Sequence, residues 1–206
     1  MLILVLTGGL GAGKSTAARY FCQLGATSLD LDRLADAVLA PGSALLGRVA
    51  DQFGAQRILL ADGSLDRRAL AVMAFASPAE AARLDAIVHP AVLAEADAEI
   101  ARLKRASGER SVLVLEVPLL VEAPAFAARA DCVLAIVAPE SVRIARAVER
   151  GMEGAEARRR VRAQATDAER AQLADAVIVN DGTSEEFVRQ LKTFWDTRLA
   201  VGGACR

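Results

Sequence analysis

An α/β fold with a mainly parallel sheet is what this sequence predicts, on three observations. Short apolar runs of strand length recur along the chain. Each is followed by turn signals and a helix-compatible stretch. The first run is apolar without alternation, as a strand buried on both faces requires. That run is Leu2-Ile3-Leu4-Val5-Leu6, bounded by Thr7-Gly8-Gly9. Lys14 to Leu24 reads as a helix that stops at Gly25. Ala26 to Leu29 gives a short second strand, and Asp30 and Asp32 open the next helix. From about Leu34 to Arg105 the pattern is helical, punctuated by Pro41-Gly42, Asp62-Gly63 and Ser77-Pro78. Strand-length apolar runs return at Val112 to Leu115, Cys132 to Val137 and Ala176 to Val179. Glu140 to Gln172 reads as polar, Arg-rich helix, and Ser184 to Leu199 as a closing amphipathic helix. Val201 to Arg206 reads as a frayed tail.

Composition narrows the classes. A chain of 206 residues suits one domain, or one core with insertions, and buries a real core unaided. A formal net charge of −1 excludes a globally basic nucleic-acid binder. Cys22, Cys132 and Cys205 are an odd, widely spaced set, so neither a disulfide framework nor a zinc site is expected. A reducing compartment fits. The first apolar run is too short for a membrane span and lacks the basic flank of a signal peptide. The expectation is a cytoplasmic protein with no membrane or nucleic-acid partner, working as a monomer or weak homo-oligomer.

The segment Gly8-Gly9-Leu10-Gly11-Ala12-Gly13-Lys14-Ser15-Thr16 fits G-x-x-x-x-G-K-[ST], with a buried strand before it and a helix after it. Glycines let the backbone curl so that successive N–H groups face phosphate oxygens. The helix start adds its positive end. Gly9, Gly11, Ala12, Gly13, Lys14, Ser15 and Thr16 are therefore the expected nucleotide loop. Lys14 would reach the β- and γ-phosphates, and the Ser15 hydroxyl would hold Mg²⁺. Lys14 is one of only three lysines, with Lys104 and Lys192, among 25 basic residues, so an incidental lysine here is improbable. Guanine-specific loops of this type carry Asn-Lys-x-Asp, which the chain lacks, so ATP is favoured over GTP.

Phosphoryl transfer also needs a group that orients or deprotonates the attacking hydroxyl. Asp30 and Asp32 follow the second strand, and strand C-terminal ends face the ligand crevice in such sheets. Asp32 would otherwise be a plain helix cap. Glu116 ends the third strand, where a carboxylate supports Mg²⁺ directly or through water; the alternative is a surface acid. Glu122 is either a crevice residue or an ordinary helix acid. Arg143, Arg146 and Arg150 share one helix face and suit charge on a transferring phosphoryl group, against the alternative of a solvated helix. Gly151 and Gly154 could hinge this arm as a lid. His89 is the only histidine, which excludes a multi-histidine metal site.

Taken in order, the motifs resemble the dephospho-coenzyme A kinase family of nucleoside-monophosphate-kinase-like P-loop enzymes. The resemblance runs from Leu4 to about Gly182. Beyond the loop it rests on Asp30-Leu31-Asp32, Phe53-Gly54, the stretch Asp62 to Leu70, Phe75, His89-Pro90 and Pro118-Leu119-Leu120-Val121-Glu122. Arg146, Arg150, Gln164, Ala174-Asp175 and Asn180-Asp181-Gly182 complete it. His-Pro and Pro-Leu-Leu-x-Glu make the set far more specific than the loop alone. The chain departs from the pattern at Asp36, at Glu116 where Asp is common, and at Gly151 where an Asp is usual.

The resemblance implies transfer of phosphate from ATP to the 3′-hydroxyl of the ribose of dephospho-CoA, with Mg²⁺. It implies a P-loop NTPase-type parallel five-stranded sheet flanked by helices, with a helical substrate-binding insertion and a helical lid. Residues 1–32, 106–140 and 174–206 would form the nucleotide core, 33–105 the substrate domain and 141–173 the lid. Lys14, Asp32, Arg143 and Arg146 become the catalytic set, with Asp32 the base. Arg67, His89, Pro118 and Leu119 join Asp32 on the substrate side. Asn180 and Gly182 would lie by the adenine, and Ser15 and Glu116 would hold the metal. Two other readings stay open on the residues alone. One is a P-loop kinase for a nucleoside, shikimate or a sugar acid; the other is a nucleotide-dependent switch without chemistry.

Overall fold

The computed structural model describes residues 1–108 and 111–200. The tail expected to fray, 201–206, and with it Cys205, lies outside the described residues. In chain order the elements are β1 (Leu2–Gly8), α1 (Lys14–Gln23), β2 (Thr27–Asp30), α2 (Leu31–Val38), α3 (Ala44–Phe53), α4 (Ala55–Ile58), α5 (Arg67–Ala74), α6 (Pro78–Ala106) and β3 (Val112–Glu116). A 3₁₀ turn at Pro124–Arg129 leads to β4 (Cys132–Val137), α7 (Glu140–Glu149), α8 (Gly154–Ala163), α9 (Asp167–Gln172), β5 (Ala176–Val179) and α10 (Ser184–Phe194). The chain divides into two compact units, Met1–Asp30 with Ser107–Arg206, and Leu31–Ala106.

The first unit is built on one parallel sheet of order β2-β3-β1-β4-β5. β1 is central: Leu6 is in register with Glu116 on one side and Leu134 on the other. Leu4, Val5 and Leu6 are fully buried, so both faces of β1 are covered. That is why its sequence is a continuous apolar run. On one face, Leu4, Leu6, Val114, Leu134 and Ile136 pack with Phe21 of α1 and Phe187, Leu191 and Phe194 of α10. Phe21 stacks on Trp195 with ring centroids 5.8 Å apart. Cys132 is buried in β4 and is disulfide-bonded, although the cysteine spacing predicts no disulfide framework; Cys22 is a free, half-buried thiol.

The Arg-rich stretch is not one helix but three. Gly151, with φ +93°, ends the first turn of chain after α7 in a conformation that a side chain disfavours. The Glu153 carboxylate then accepts from the Ala155 and Glu156 amides and starts α8. Thr166 and Glu169 form a reciprocal capping box that starts α9. The closing helix likewise ends early, at Phe194, and continues as a π-helical turn from Trp195 to Leu199.

The second unit is helical throughout, apart from an isolated bridge between Leu59 and Leu65. Its core holds Leu45, Val49, Phe53, Ile58, Leu70 and Ala74. Ser43 caps α3 and Asp66 caps α5, each accepting a backbone N–H three residues on. α6 runs 29 residues and carries His89-Pro90 inside it.

Candidate active site

β1 delivers the chain into the loop 9–13, and α1 leaves it. The turn closes on an Ala12 N–H to Gly9 carbonyl bond of 3.1 Å. Gly13 is the N-cap of α1 with φ +110°, and a Cβ there would overlap the Asn180 amide. The amides of Lys14 and Ser15 begin α1, whose first turn has no intrahelical acceptor for them. They are free to face an anion, and the helix end adds to the field there. Ser15 and Thr16 are exposed.

Lys14 Nζ lies 3.3 Å from Glu116 Oε2, with both side chains nearly buried. Glu116 is therefore not a surface acid: it ends β3 beside the loop, 7 % exposed. Asp30 ends β2 in register with Glu116, which places two carboxylate-bearing residues at the C-terminal edge of adjacent strands. Ser15, Glu116 and Asp30 offer hard oxygen donors of the type Mg²⁺ takes, so the residues present fit that ion. Among the described residues no group of three His, Cys, Asp or Glu side chains forms a protein-only metal cage.

α7 meets the loop through two arginines. Arg143, 5 % exposed, donates from Nε to the Leu10 carbonyl at 3.1 Å. Its Nη1 lies 3.2 Å from Asp167 Oδ1 and its Nη2 3.3 Å from Gln164 Oε1. Arg146 donates to the Asn180 carbonyl at 3.0 Å and to Asn180 Oδ1 at 3.2 Å. Asn180 in turn donates from Nδ2 to the Ala12 carbonyl at 2.8 Å. A cleft of about 220 Å³ opens here, lined by Gly13, Thr16, Arg146, Glu149, Arg150, Asn180, Ser184, Phe187 and Val188. Gly182 does not line it; a Cβ there would overlap the Glu186 carboxylate.

Behind Arg143 sits Arg170, fully buried on α9. Its Nη1 donates to the Ala165 carbonyl and lies 3.5 Å from Asp167 Oδ1, while its Nε and Nη2 have no partner among the described residues. Burial, and then the charge of Arg143, pull the Arg170 guanidinium below its ordinary value; Asp167 and Glu122 oppose this.

The structure thus brings Gly9, Gly11, Ala12, Gly13, Lys14, Ser15, Glu116, Arg143, Arg146 and Asn180 together around one loop. Pro118 and Leu119 follow β3 in the same unit, with Leu119 exposed. Asp32, Arg67 and His89 belong to the helical unit. There Asp32 lies in the first turn of α2, Arg67 pairs with Asp36 at 2.6 Å, and His89 Nε2 lies 3.5 Å from Asp85. Asp36, which departs from the family pattern, thus engages one of the expected substrate residues. Sequence reasoning assigned no job to Gln164 or Asp167. Gln164 is 154 residues from the Leu10 amide it serves, and no local spacing signals that bond.

A family profile described as dephospho-CoA kinase matches residues 2–186. A dephospho-CoA kinase of Corynebacterium jeikeium is 40% identical over 196 residues, covering 95% of this chain and 98% of that protein. The Mycobacterium tuberculosis dephospho-CoA kinase is 43% identical over 203 residues; the match covers 97% of this chain but 48% of that longer protein. A solved protein from Thermus thermophilus superposes with a TM-score of 0.77 at 32% identity, over 95% of this chain and 96% of its own. With a phosphate loop built on the central strand of a five-stranded parallel sheet, and relatives of this kind along nearly its whole length, the chain belongs to the dephospho-CoA kinase family.

Proposed function

We propose that this protein is an ATP-dependent dephospho-CoA kinase, phosphorylating the ribose 3′-hydroxyl of dephospho-CoA to give coenzyme A and ADP, the last step of coenzyme A biosynthesis. The observation that carries the reading is Lys14, held at the mouth of the phosphate loop by Glu116, in a chain that matches the family over residues 2–186. ATP binding draws the Lys14 ammonium from Glu116 onto phosphate oxygens. The loop amides and the start of α1 take the remaining charge. Ser15 and the freed Glu116 would hold Mg²⁺, which when bound neutralises the β- and γ-phosphates. The cleft beside Gly13, Arg146 and Asn180 takes the adenine end of the nucleotide.

Asp32 is the base. It stands two residues beyond Asp30, whose strand position is fixed against Glu116, and it accepts the 3′-hydroxyl proton as the oxygen attacks the γ-phosphorus. Arg67, His89, Pro118 and Leu119 are the substrate-side residues, and 141–173 is the lid. Charge neutralisation and positioning supply most of the rate. The enzyme acts in the cytoplasm, where its co-substrate ATP is, as a monomer or weak homo-oligomer. Its acceptor is a small molecule rather than nucleic acid, in keeping with a net charge of −1. No helix among the described residues is long and apolar enough to cross a membrane.

A coupled ADP-release assay against dephospho-CoA, adenosine, shikimate and a sugar acid tests the reading. ADP release with dephospho-CoA alone, inhibited by pantetheine-bearing analogues, is expected; equal turnover of another acceptor overturns it. Asp32→Asn is expected to retain ATP binding while kcat falls about 10²-fold or more. An unchanged kcat at saturation removes Asp32 from the base role.

A further inference from the structure

Leu10, at the crown of the phosphate loop, is gripped on both sides of its peptide backbone. Its N–H donates to Gln164 Oε1 at 2.8 Å, and its carbonyl accepts from Arg143 Nε at 3.1 Å. The two grips are themselves joined, because Arg143 Nη2 donates to the same Gln164 oxygen at 3.3 Å. Nη1 goes to Asp167 Oδ1, whose partner oxygen accepts the Ala138 N–H at 3.3 Å. Every nitrogen of the Arg143 guanidinium is therefore committed to protein, and the side chain is nine-tenths buried. Contact is close on either side of Leu10 as well. A Cβ on Gly9 would overlap the Arg143 guanidinium, and one on Gly11 would overlap the Arg143 backbone.

A group so occupied is poorly placed to meet a transferring phosphate. It is well placed to hold the loop in its curled form before nucleotide arrives, which removes part of the ordering cost from binding. We infer that Arg143 and Gln164 are positioning residues that pre-form the phosphate loop through Leu10, and that they set the enzyme's affinity for its nucleotide. The inference rests on the kinase reading only in taking this loop as the ATP site. Gln164 acts here solely as an acceptor, since both of its partners are donors. That gives a clean pair of variants: Gln164→Met keeps length but loses the acceptor, and Gln164→Glu keeps it.

The experiment is titration calorimetry of ADP, without acceptor, on the full chain, paired with steady-state kinetics. With Gln164→Met, ADP Kd and KM for ATP should rise about 10-fold, the scale of one or two lost hydrogen bonds. KM for dephospho-CoA should move less than twofold. Gln164→Glu should restore most of the nucleotide affinity. Wild-type ADP affinity in Gln164→Met overturns the inference, as does equal weakening by both variants, which would make the acceptor irrelevant. A wild-type protein that binds no ADP overturns the kinase reading instead.

Discussion

Lys14 and Glu116 form a pair whose two states matter differently. Without nucleotide they neutralise each other in a nearly dry setting; with nucleotide the lysine is wanted elsewhere. Removing either partner leaves the other poorly solvated, so the effect on stability and the effect on catalysis must be read apart. Lys14→Ala is expected to cut kcat/KM by about 10² to 10³ or more, the scale of losing one electrostatic stabiliser of a transition state, with the circular dichroism spectrum retained. Near-normal kcat/KM in that variant would show that the loop does not serve phosphoryl transfer. At this scale the sequence was informative where chemistry is local. Lys14 and Ser15 stand at fixed places in a contiguous motif, and Glu116 ends an apolar run. It placed Gln164 in the family pattern but gave it no role, because its partners lie 154 and 21 residues away and only the fold brings them together.

Helices α8, α9 and α10 each start on a side-chain cap. Thr183 accepts the Glu186 amide at 3.2 Å, and Glu186 Oε2 accepts the Thr183 amide at 2.8 Å. Thr183→Ala is expected to cost about 1 kcal/mol, measured as a lowered urea midpoint with unchanged m-value. An unchanged midpoint would mean that packing of Phe187 and Leu191 alone fixes the helix start. The Thr183 hydrogen bonds hold the Glu186 carboxyl below its ordinary 4.5. A depressed acid stabilises the fold above its unfolded value and loses that contribution as pH falls through its folded value. The difference between wild type and Glu186→Ala should therefore be full above pH 4.5 and shrink below it. The strands were legible: Cys132–Val137 and Ala176–Val179 follow directly from their apolar runs. The division into α7, α8 and α9 was read only as a hinge at Gly151 and Gly154, although Glu153 and Thr166-x-x-Glu169 also wrote its punctuation. Charge-rich composition masked those stops, since a polar stretch offers no apolar period whose interruption would mark a break.

One hydrophobic core lies on a face of the sheet and another among α3 to α6. Phe53 lies wholly in the second, 4 % exposed. Phe53→Ala is expected to destabilise the helical unit by about 3–5 kcal/mol. Hydrogen exchange should show amides of α3 and α5 losing protection while those of β1, β3 and β4 keep theirs. Loss of protection everywhere at once would mean a single cooperative unit. The first core also frames a limit on engineering. Gly9 and Gly11 have no room for side chains because α7 lies against them, more than a hundred residues along the chain. A protein engineer who transplanted a bulkier kinase's loop into this scaffold would be importing half a joint, and the graft would take only if the matching helix came with it.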